Sequence, residues 1–318
     1  MRRSVLLSVL FAIALPAVAM PAVAATPVVA PAKAPPVPLL WKVSDDDNSV
    51  YLLGSFHMLR EDDYPLSADV DKAFADAEAL VFELPPEEMG SADLGKAMIA
   101  AAVRTDGKQL DDDLPPDVEA HYDAWLVANE AAIGKAIGGN AQLLQMFEPW
   151  FVGLMITIVE AQKQGMDSKL GLDMHLANAA KAAGKPARGL ESGREQLAFF
   201  DGMSTVEQVQ MLDESTTGAS DGKQELESLH RKWRAGDAEA LWKEMALETR
   251  RKYPALYRRI NTDRNDAWVP KLQAMLAKPG GDDTLVVVGA LHLLGSDGVV
   301  EKLRRKGYRV ERVCSACK

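Results

Sequence analysis

Two short apolar runs near opposite ends of the chain each lead into a Gly-x-x-His motif. Val50 to Leu53 precedes Gly54-Ser55-Phe56-His57, and Leu285 to Val288 precedes Gly289-Ala290-Leu291-His292. Short runs rich in branched apolar residues predict buried strands, and glycine at the end of a strand permits a close approach of the backbone. Each histidine is therefore expected at the carboxyl edge of a strand, where open α/β sheets bind their ligands.

After each motif the apolar spacing changes to that of a helix and then back to that of a strand. The first helix is predicted from about Ser67, and a strand follows over residues 79–84. The second helix opens at Asp297-Gly298 and ends before Gly307, in front of an alternating strand over residues 308–313. These patterns predict two βαβ-like units, and a right-handed crossover makes the two strands of each unit parallel.

The chain between the two units is predominantly helical in pattern, over about residues 90–280, with one short predicted strand at 185–191. We therefore expect an α/β fold in which βαβ-like units from both chain ends form one mixed or parallel sheet. The middle of the chain is then a large helical insertion. Residues 39–318 are expected to form this single domain.

The first 24 residues predict a signal peptide rather than a part of the fold. Arg2-Arg3 precede an apolar stretch from Val5 to Val18, and Ala22-Val23-Ala24 has the small-residue pattern of a cleavage site. Residues 25–38, rich in Ala, Pro and Val, predict an extended tether. We expect an exported, periplasmic protein without an integral membrane span after cleavage. Secretion and retention as a signal anchor are the alternatives.

Charge and cysteine content restrict the partners and the compartment. The net charge is −10, and loss of Arg2 and Arg3 with the signal peptide would make it −12. Without a basic patch, nucleic acid and anionic membranes are disfavoured as partners. The two cysteines, Cys314 and Cys317, are expected to form a small local disulfide in an exported protein.

His57, Glu83 and His292 each lie at the end of a predicted strand. If these strands are neighbours, two imidazoles and one carboxylate converge at one edge and form a suitable ligand set for a catalytic divalent ion. The alternatives are that the histidines are hydrogen-bonded core residues and that Glu83 forms a salt bridge at the strand end.

Three more polar residues are candidates for catalytic roles. Glu191 ends the predicted strand at 185–191 and is a candidate general base, metal ligand or partner of a histidine, or else the cap of the next helix. Arg264 and Asn265 supply a cation and an amide, either for a developing oxyanion or for a bridge from their helix to an acidic loop. His121, His175 and His230 are expected on the surface of helices, and Ser55 lacks the sequence context of a nucleophile elbow.

Several sequence motifs between about Trp41 and Val313 together resemble those of the TraB/GumN (PrgY) family. They are the two Gly-x-x-His motifs, Val81-Phe82-Glu83, Gly189-Leu190-Glu191-Ser192 followed by Gln196, and Arg264-Asn265-Asp266-Ala267-Trp268. Ser55 stands where threonine is common in the family. The wider group includes Tiki proteases, which are manganese- or cobalt-dependent peptidases, together with erythromycin esterases and haem-binding ChaN proteins.

The resemblance implies that His57, Glu83 and His292 form the site and that manganese or cobalt is the favoured metal, with zinc as a further candidate. Three hypotheses follow. The first is a metal-dependent hydrolase acting on peptide or amide bonds, and the second is a metal-independent, esterase-like hydrolase in which a histidine activates water. The third is a binding protein for haem, a metal or a peptide. The sequence leaves the substrate, peptide or small molecule, and the oligomeric state open.

Overall fold

The computed structural model of the protein describes residues 33–317, without the side chains of residues 218–224 and 248. Within this range six strands form one mixed sheet. The strands are β1 (Leu40–Ser44), β2 (Ser49–Ser55), β3 (Ala79–Phe82), β4 (Ala187–Gly189), β5 (Thr284–Gly289) and β6 (Arg309–Arg312). The predicted α/β class and the sheet built from both chain ends are confirmed.

The order of the strands brings the two predicted units together. It runs β4-β3-β5-β2-β1-β6, so that β5 from the second unit lies between β3 and β2 of the first. These three strands and β4 are parallel, whereas β1 pairs antiparallel with both β2 and β6. The strands of each unit therefore run in the same direction, as predicted, but they are separated by strands from elsewhere in the chain. β1 was not predicted, and it links the edge strand β6 to the rest of the sheet.

Helices make up most of the described chain outside the sheet. The first unit contains α1 (Ala68–Asp76) and the second contains α12 (Ala290–Leu293) and α13 (Val299–Arg305). The insertion between β3 and β5 contains ten helices within the described range and the strand β4. They are α2 (Ala92–Ala102), α3 (Pro116–Ile137), α4 (Pro149–Lys163), α5 (Leu172–Ala183), α6 (Gly193–Asp201), α7 (Thr205–Arg234), α8 (Ala238–Met245), α9 (Leu247–Lys252), α10 (Pro254–Tyr257) and α11 (Asp263–Leu276).

The central strands are buried on both faces, which explains their continuous apolar pattern. All seven residues of β2 are buried, and so are the last five of β5. Because polar side chains in such strands carry a desolvation cost, they are confined to the strand ends. A short π-helix over Arg258–Thr262 joins α10 to α11 and precedes the residues that α11 directs toward the sheet.

The predicted signal peptide and residues 25–32 of the predicted tether lie outside the described residues. Residues 34–38 continue along the domain, where the Val37 amide donates to the Arg234 carbonyl at 2.7 Å and Pro36 and Pro38 are buried. At the other end, the expected disulfide joins Cys314 to Cys317. None of the helices among the described residues is long and apolar enough to cross a membrane.

Candidate functional site

The three strand-end residues lie together at one edge of the sheet. His57 follows β2, Glu83 follows β3 and His292 lies in α12, directly after β5. Since β5 pairs with both β2 and β3, the parallel register brings the ends of all three strands to the same level. Nε2 of His57 is 3.7 Å and Nε2 of His292 is 3.9 Å from the same oxygen, Oε1 of Glu83. The three strands are therefore neighbours, and their terminal side chains converge.

Glu83 is the centre of this arrangement and is only 3% exposed. Its Oε1 accepts a hydrogen bond from the Gly289 amide at 2.7 Å, and its Oε2 accepts one from Arg264 Nη2 at 2.6 Å. Gln196 Nε2 approaches Oε2 at 3.3 Å. Burial alone would favour the neutral acid, but Arg264, the two histidines and the Gly289 amide together outweigh it and hold the pKa of Glu83 well below its usual range. Glu83 is thus a buried, ionised carboxylate.

The Nδ1 side of the His57 ring is hydrogen-bonded to the carboxylate of Asp173. The Nδ1 atom is 2.9 Å from Oδ1 of Asp173, which also accepts a hydrogen bond from the Ser55 hydroxyl at 2.8 Å. Burial disfavours the imidazolium, but the charge and the hydrogen bond of Asp173 overcome this effect and raise the pKa of His57 above its usual value. The opposite nitrogen, Nε2, faces Glu83.

His292 is held in a fixed orientation by an amide. Asn265 Nδ2 donates to the Asp297 carbonyl at 2.8 Å, so Asn265 Oδ1 is the atom that lies 2.7 Å from Nδ1 of His292. Nδ1 must then carry the proton, and the lone pair of Nε2 accepts from Arg264 Nη1 at 3.0 Å. Burial, followed by the charge of Arg264, lowers the pKa of His292 to about 3, which keeps this imidazole neutral.

Arg264 links the two glutamates and one histidine. Besides Glu83, its guanidinium bonds both oxygens of Glu191, and it lies 4.8 Å from the centre of the Trp268 ring. Burial works against the charge, but the two carboxylates raise the pKa of Arg264 further above its usual value. The two roles predicted for Arg264 were stabilisation of an oxyanion and a bridge to acidic residues. Both fall within this site, because the acidic residues that Arg264 bonds are Glu83 and Glu191.

Glu191 points into the site rather than onto the next helix. The cap of α6 is Ser192, whose hydroxyl accepts from the Glu195 amide in a capping box, so the capping alternative for Glu191 is wrong. Glu191 instead accepts from Gln196 at 2.8 Å and from the Trp268 indole at 3.2 Å. Burial exceeds the opposing effect of Arg264, so the pKa of Glu191 is raised.

Comparison with known proteins agrees with the pattern of motifs. The model of the TraB/PrgY/gumN family matches residues 39–312. The chain belongs to this family. "Uncharacterized protein YbaP" of Escherichia coli strain K12 is 26% identical over 254 residues, which cover 80% of this chain and 87% of that protein. The protein of the same name from Shigella flexneri has the same identity and coverage. No solved structure matches the chain.

Two parts of the site were not predicted from the sequence. Asp173, in the first turn of α5, is separated from His57 by 116 residues, and nothing in its local pattern distinguishes it from a helix-start acid. Gly289 was predicted to permit a turn or a close approach of the backbone, but not to donate its amide to Glu83 or to leave space beside the site. A Cβ atom there would lie 3.0 Å from His57 Nε2 and 3.1 Å from Glu83 Oε1.

The remaining histidines are outside this cluster, and one of them was predicted wrongly. His121 is half-buried and bonds Asp213, and His175 is exposed beside Tyr64, in agreement with a surface position. His230 is only 1% exposed, and its Nε2 lies 2.9 and 3.0 Å from the two oxygens of Asp63. It is buried because α7 packs its last turns behind the first Gly-x-x-His motif, a contact that local helix polarity does not predict.

The sequence resemblance predicts a divalent metal at this site, and the chemistry of the donor atoms fits one. Both histidines turn Nε2 toward Glu83 while Nδ1 is hydrogen-bonded, and metal-binding histidines are usually oriented by such a bond at the opposite nitrogen. Gly289 keeps the space beside these atoms open. On this side Nε2 of His57 faces Oε1 of Glu83, which accepts from the Gly289 amide, whereas Arg264 donates to Nε2 of His292.

Arg264 also defines what metal binding requires. Within residues 33–317 there is no group of three or more His, Cys, Asp or Glu side chains already arranged to hold a metal ion. For His292 to become the third ligand beside His57 and Glu83, Arg264 has to exchange its 3.0 Å bond to Nε2 for another acceptor. Its bonds to Glu83 Oε2 and Glu191 remain available to hold it during that exchange.

Proposed function

We propose that this protein is a metal-dependent hydrolase acting on peptide or amide bonds, with His57, Glu83 and His292 as the metal ligands. One observation carries the proposal. Two imidazoles present Nε2 to the same oxygen of Glu83 at 3.7 and 3.9 Å, and each has a hydrogen-bond partner at Nδ1. Separations of this size suit donors that share one ion with bonds of about 2.1 Å.

The charges of the site support cation binding. Glu83, Glu191 and Asp173 contribute three carboxylates, and Arg264 is bonded to the first two of them. A bound divalent ion would lower the pKa of a water molecule and polarise a substrate carbonyl. Arg264 Nη1 lies on the His292 side of the site, where its N–H stabilises negative charge on a substrate oxygen. Glu191 keeps this guanidinium in place.

Metal content and turnover test the proposal separately. Protein reconstituted with manganese, cobalt or zinc is expected to retain one equivalent of metal by elemental analysis. Glu83→Gln is expected to reduce this content to background, whereas His121→Ala retains it. Incubation with a peptide library, read by mass spectrometry, is expected to yield cleaved products. Metal at trace level in the unmodified protein would refute metal dependence, and bound but intact peptides would indicate a binding protein instead.

A second candidate, metal-independent hydrolysis, is favoured by one contact. Arg264 Nη1 donates to Nε2 of His292, which leaves that imidazole satisfied without a metal. In this scheme Nε2 of His57 accepts a proton from a water molecule that attacks the substrate, while Asp173 stabilises the resulting imidazolium. Exhaustive chelation distinguishes the two schemes, because it abolishes metal-dependent turnover and leaves the second kind unchanged.

We further propose export to the periplasm and a peptide or small-molecule substrate there. Arg2-Arg3, the apolar stretch and the Ala22-Val23-Ala24 site support the export signal, and the Cys314–Cys317 disulfide suits an oxidising compartment. Cell fractionation of the full chain is expected to place the processed protein in the periplasm. Retention in the cytoplasm of unprocessed protein would contradict this proposal.

A further inference from the structure

A chain of hydrogen bonds runs from Ser55 through Asp173 to His57. The Ser55 hydroxyl and the His57 Nδ1 atom both approach the same oxygen of Asp173, at 2.8 and 2.9 Å. Ser55 is 3% exposed and Asp173 is 6% exposed, so water does not compete strongly for these contacts. A carboxylate only accepts hydrogen bonds, so both neighbours act as donors.

Backbone contacts of α5 fix the position of Asp173 relative to His57. α5 begins directly against the first Gly-x-x-His motif, where the Leu172 amide donates to the Phe56 carbonyl at 3.2 Å. A Cβ atom on Gly171 would lie only 2.2 Å from the His57 carbonyl oxygen, so only glycine permits this approach. The position of Asp173 beside His57 is therefore set by two backbone contacts, at Gly171 and Leu172, and not only by the conformation of the Asp173 side chain.

We propose that Asp173 is a positioning residue of the site and that Ser55 is the group that orients it. By accepting a hydrogen bond from Nδ1–H, Asp173 fixes the tautomer of His57 in which the lone pair of Nε2 is directed at Glu83 and the proposed metal site. The consequence for metal affinity rests on the proposed function, whereas the tautomer of His57 does not.

The tautomer is measurable without substrate or metal. In ¹⁵N NMR spectra of the metal-free protein at alkaline pH, His57 is expected to show a protonated Nδ1 and an unprotonated Nε2. Asp173→Ala is expected to shift His57 toward the Nε2-protonated form. Titration with manganese or cobalt alone is expected to show about a 10- to 100-fold loss of affinity in this variant, the usual range for losing an outer-shell partner.

A matched control is present in the same chain. His121 Nδ1 on α3 also lies 2.9 Å from a carboxylate oxygen, Oδ1 of Asp213 on α7, in a pair that includes none of the strand-end residues. Asp213→Ala is expected to change the signals of His121 and to leave those of His57 and the metal affinity unchanged. If Asp173→Ala leaves His57 in its original tautomer, with metal affinity within about twofold of the unmodified protein, the proposal is overturned.

Ser55→Ala keeps the inference testable if Asp173→Ala does not fold. This variant keeps the carboxylate and removes one donor, so a loss of about tenfold in metal affinity is expected, as for a hydrogen bond to a charged group. Ser55→Thr retains the hydroxyl and is expected to restore the affinity. An unchanged affinity in Ser55→Ala would remove Ser55 from the proposal. If the unmodified protein binds no metal, the proposed function fails, while the His57 tautomer still decides the role of Asp173.

Discussion

Acidification is expected to destabilise the metal-free protein through His292. Burial, together with the charge of Arg264, lowers the pKa of His292 from 6.5 to about 3. Between these values the unfolded chain binds a proton that the folded protein excludes. The folded state is therefore progressively disfavoured as the pH falls below the unfolded value, and this loss is complete only when the pH reaches the folded pKa.

The size of the effect follows from the pKa difference. At a pH of about 5, roughly 1.5 units below the unfolded value and still well above the folded one, His292 should cost about 2 kcal/mol of unfolding free energy. His57 and Glu191 have raised pKa values and act in the opposite direction, because their folded forms bind protons more readily. His175 has a pKa lowered by burial and acts in the same direction as His292, so the total pH dependence does not isolate the contribution of His292.

Comparison with a variant isolates that contribution. His292→Gln keeps an acceptor for Arg264 but cannot titrate in this range. Urea unfolding of both metal-free proteins at a pH of about 7 and about 5 should show that the unmodified protein loses about 2 kcal/mol more than the variant. An equal loss in both proteins would refute the reasoning, because it would mean that His292 is protonated in the folded state as easily as in the unfolded one.

Further substitutions test other parts of the site. Arg264→Met leaves two buried glutamates without their cation and should lower the free energy of unfolding by about 3–5 kcal/mol in urea titrations; a loss below about 1 kcal/mol would contradict the ion-pair account. Gly289→Ala places a methyl group beside the donor atoms and should reduce manganese or cobalt affinity about tenfold or more. Gly281→Ala, where a Cβ atom would make only an ordinary contact of 3.7 Å with the Asp47 carbonyl, should bind metal normally. If one ion is shared, the double variant His57→Ala/His292→Ala should lose about as much activity as either single variant, and multiplicative losses would place the motifs in separate sites.

The local pattern of the sequence was sufficient for the central strands β2, β3 and β5 and for the residues at their ends, but not for β1. β2, β3 and β5 are continuous apolar runs because both of their faces are buried, and a polar residue at the end of such a run is conspicuous. His57, Glu83 and His292 were identified on this basis. The order of the motifs was also sufficient to indicate the family, because each motif is a short stretch of consecutive residues.

The tertiary structure alone decided which groups surround these residues. The placement of β5 between β2 and β3 brings Glu83 close to both histidines, and strand order is not encoded in local periodicity. Asp173 reaches His57 across 116 residues of chain, through the packing of α5. His230 is on a polar helix but is buried against Asp63.

Arg264 illustrates the physical reason for this division. Its spacing on α11 predicted a polar residue on a helix, which is compatible with a surface ion pair or with a buried one. Only the fold removes water from around it and places two carboxylates and an imidazole within hydrogen-bonding distance. Hydrophobic periodicity is a property of neighbouring residues in the chain, whereas charge, pKa and ligand geometry depend on burial and on partners that are distant in sequence.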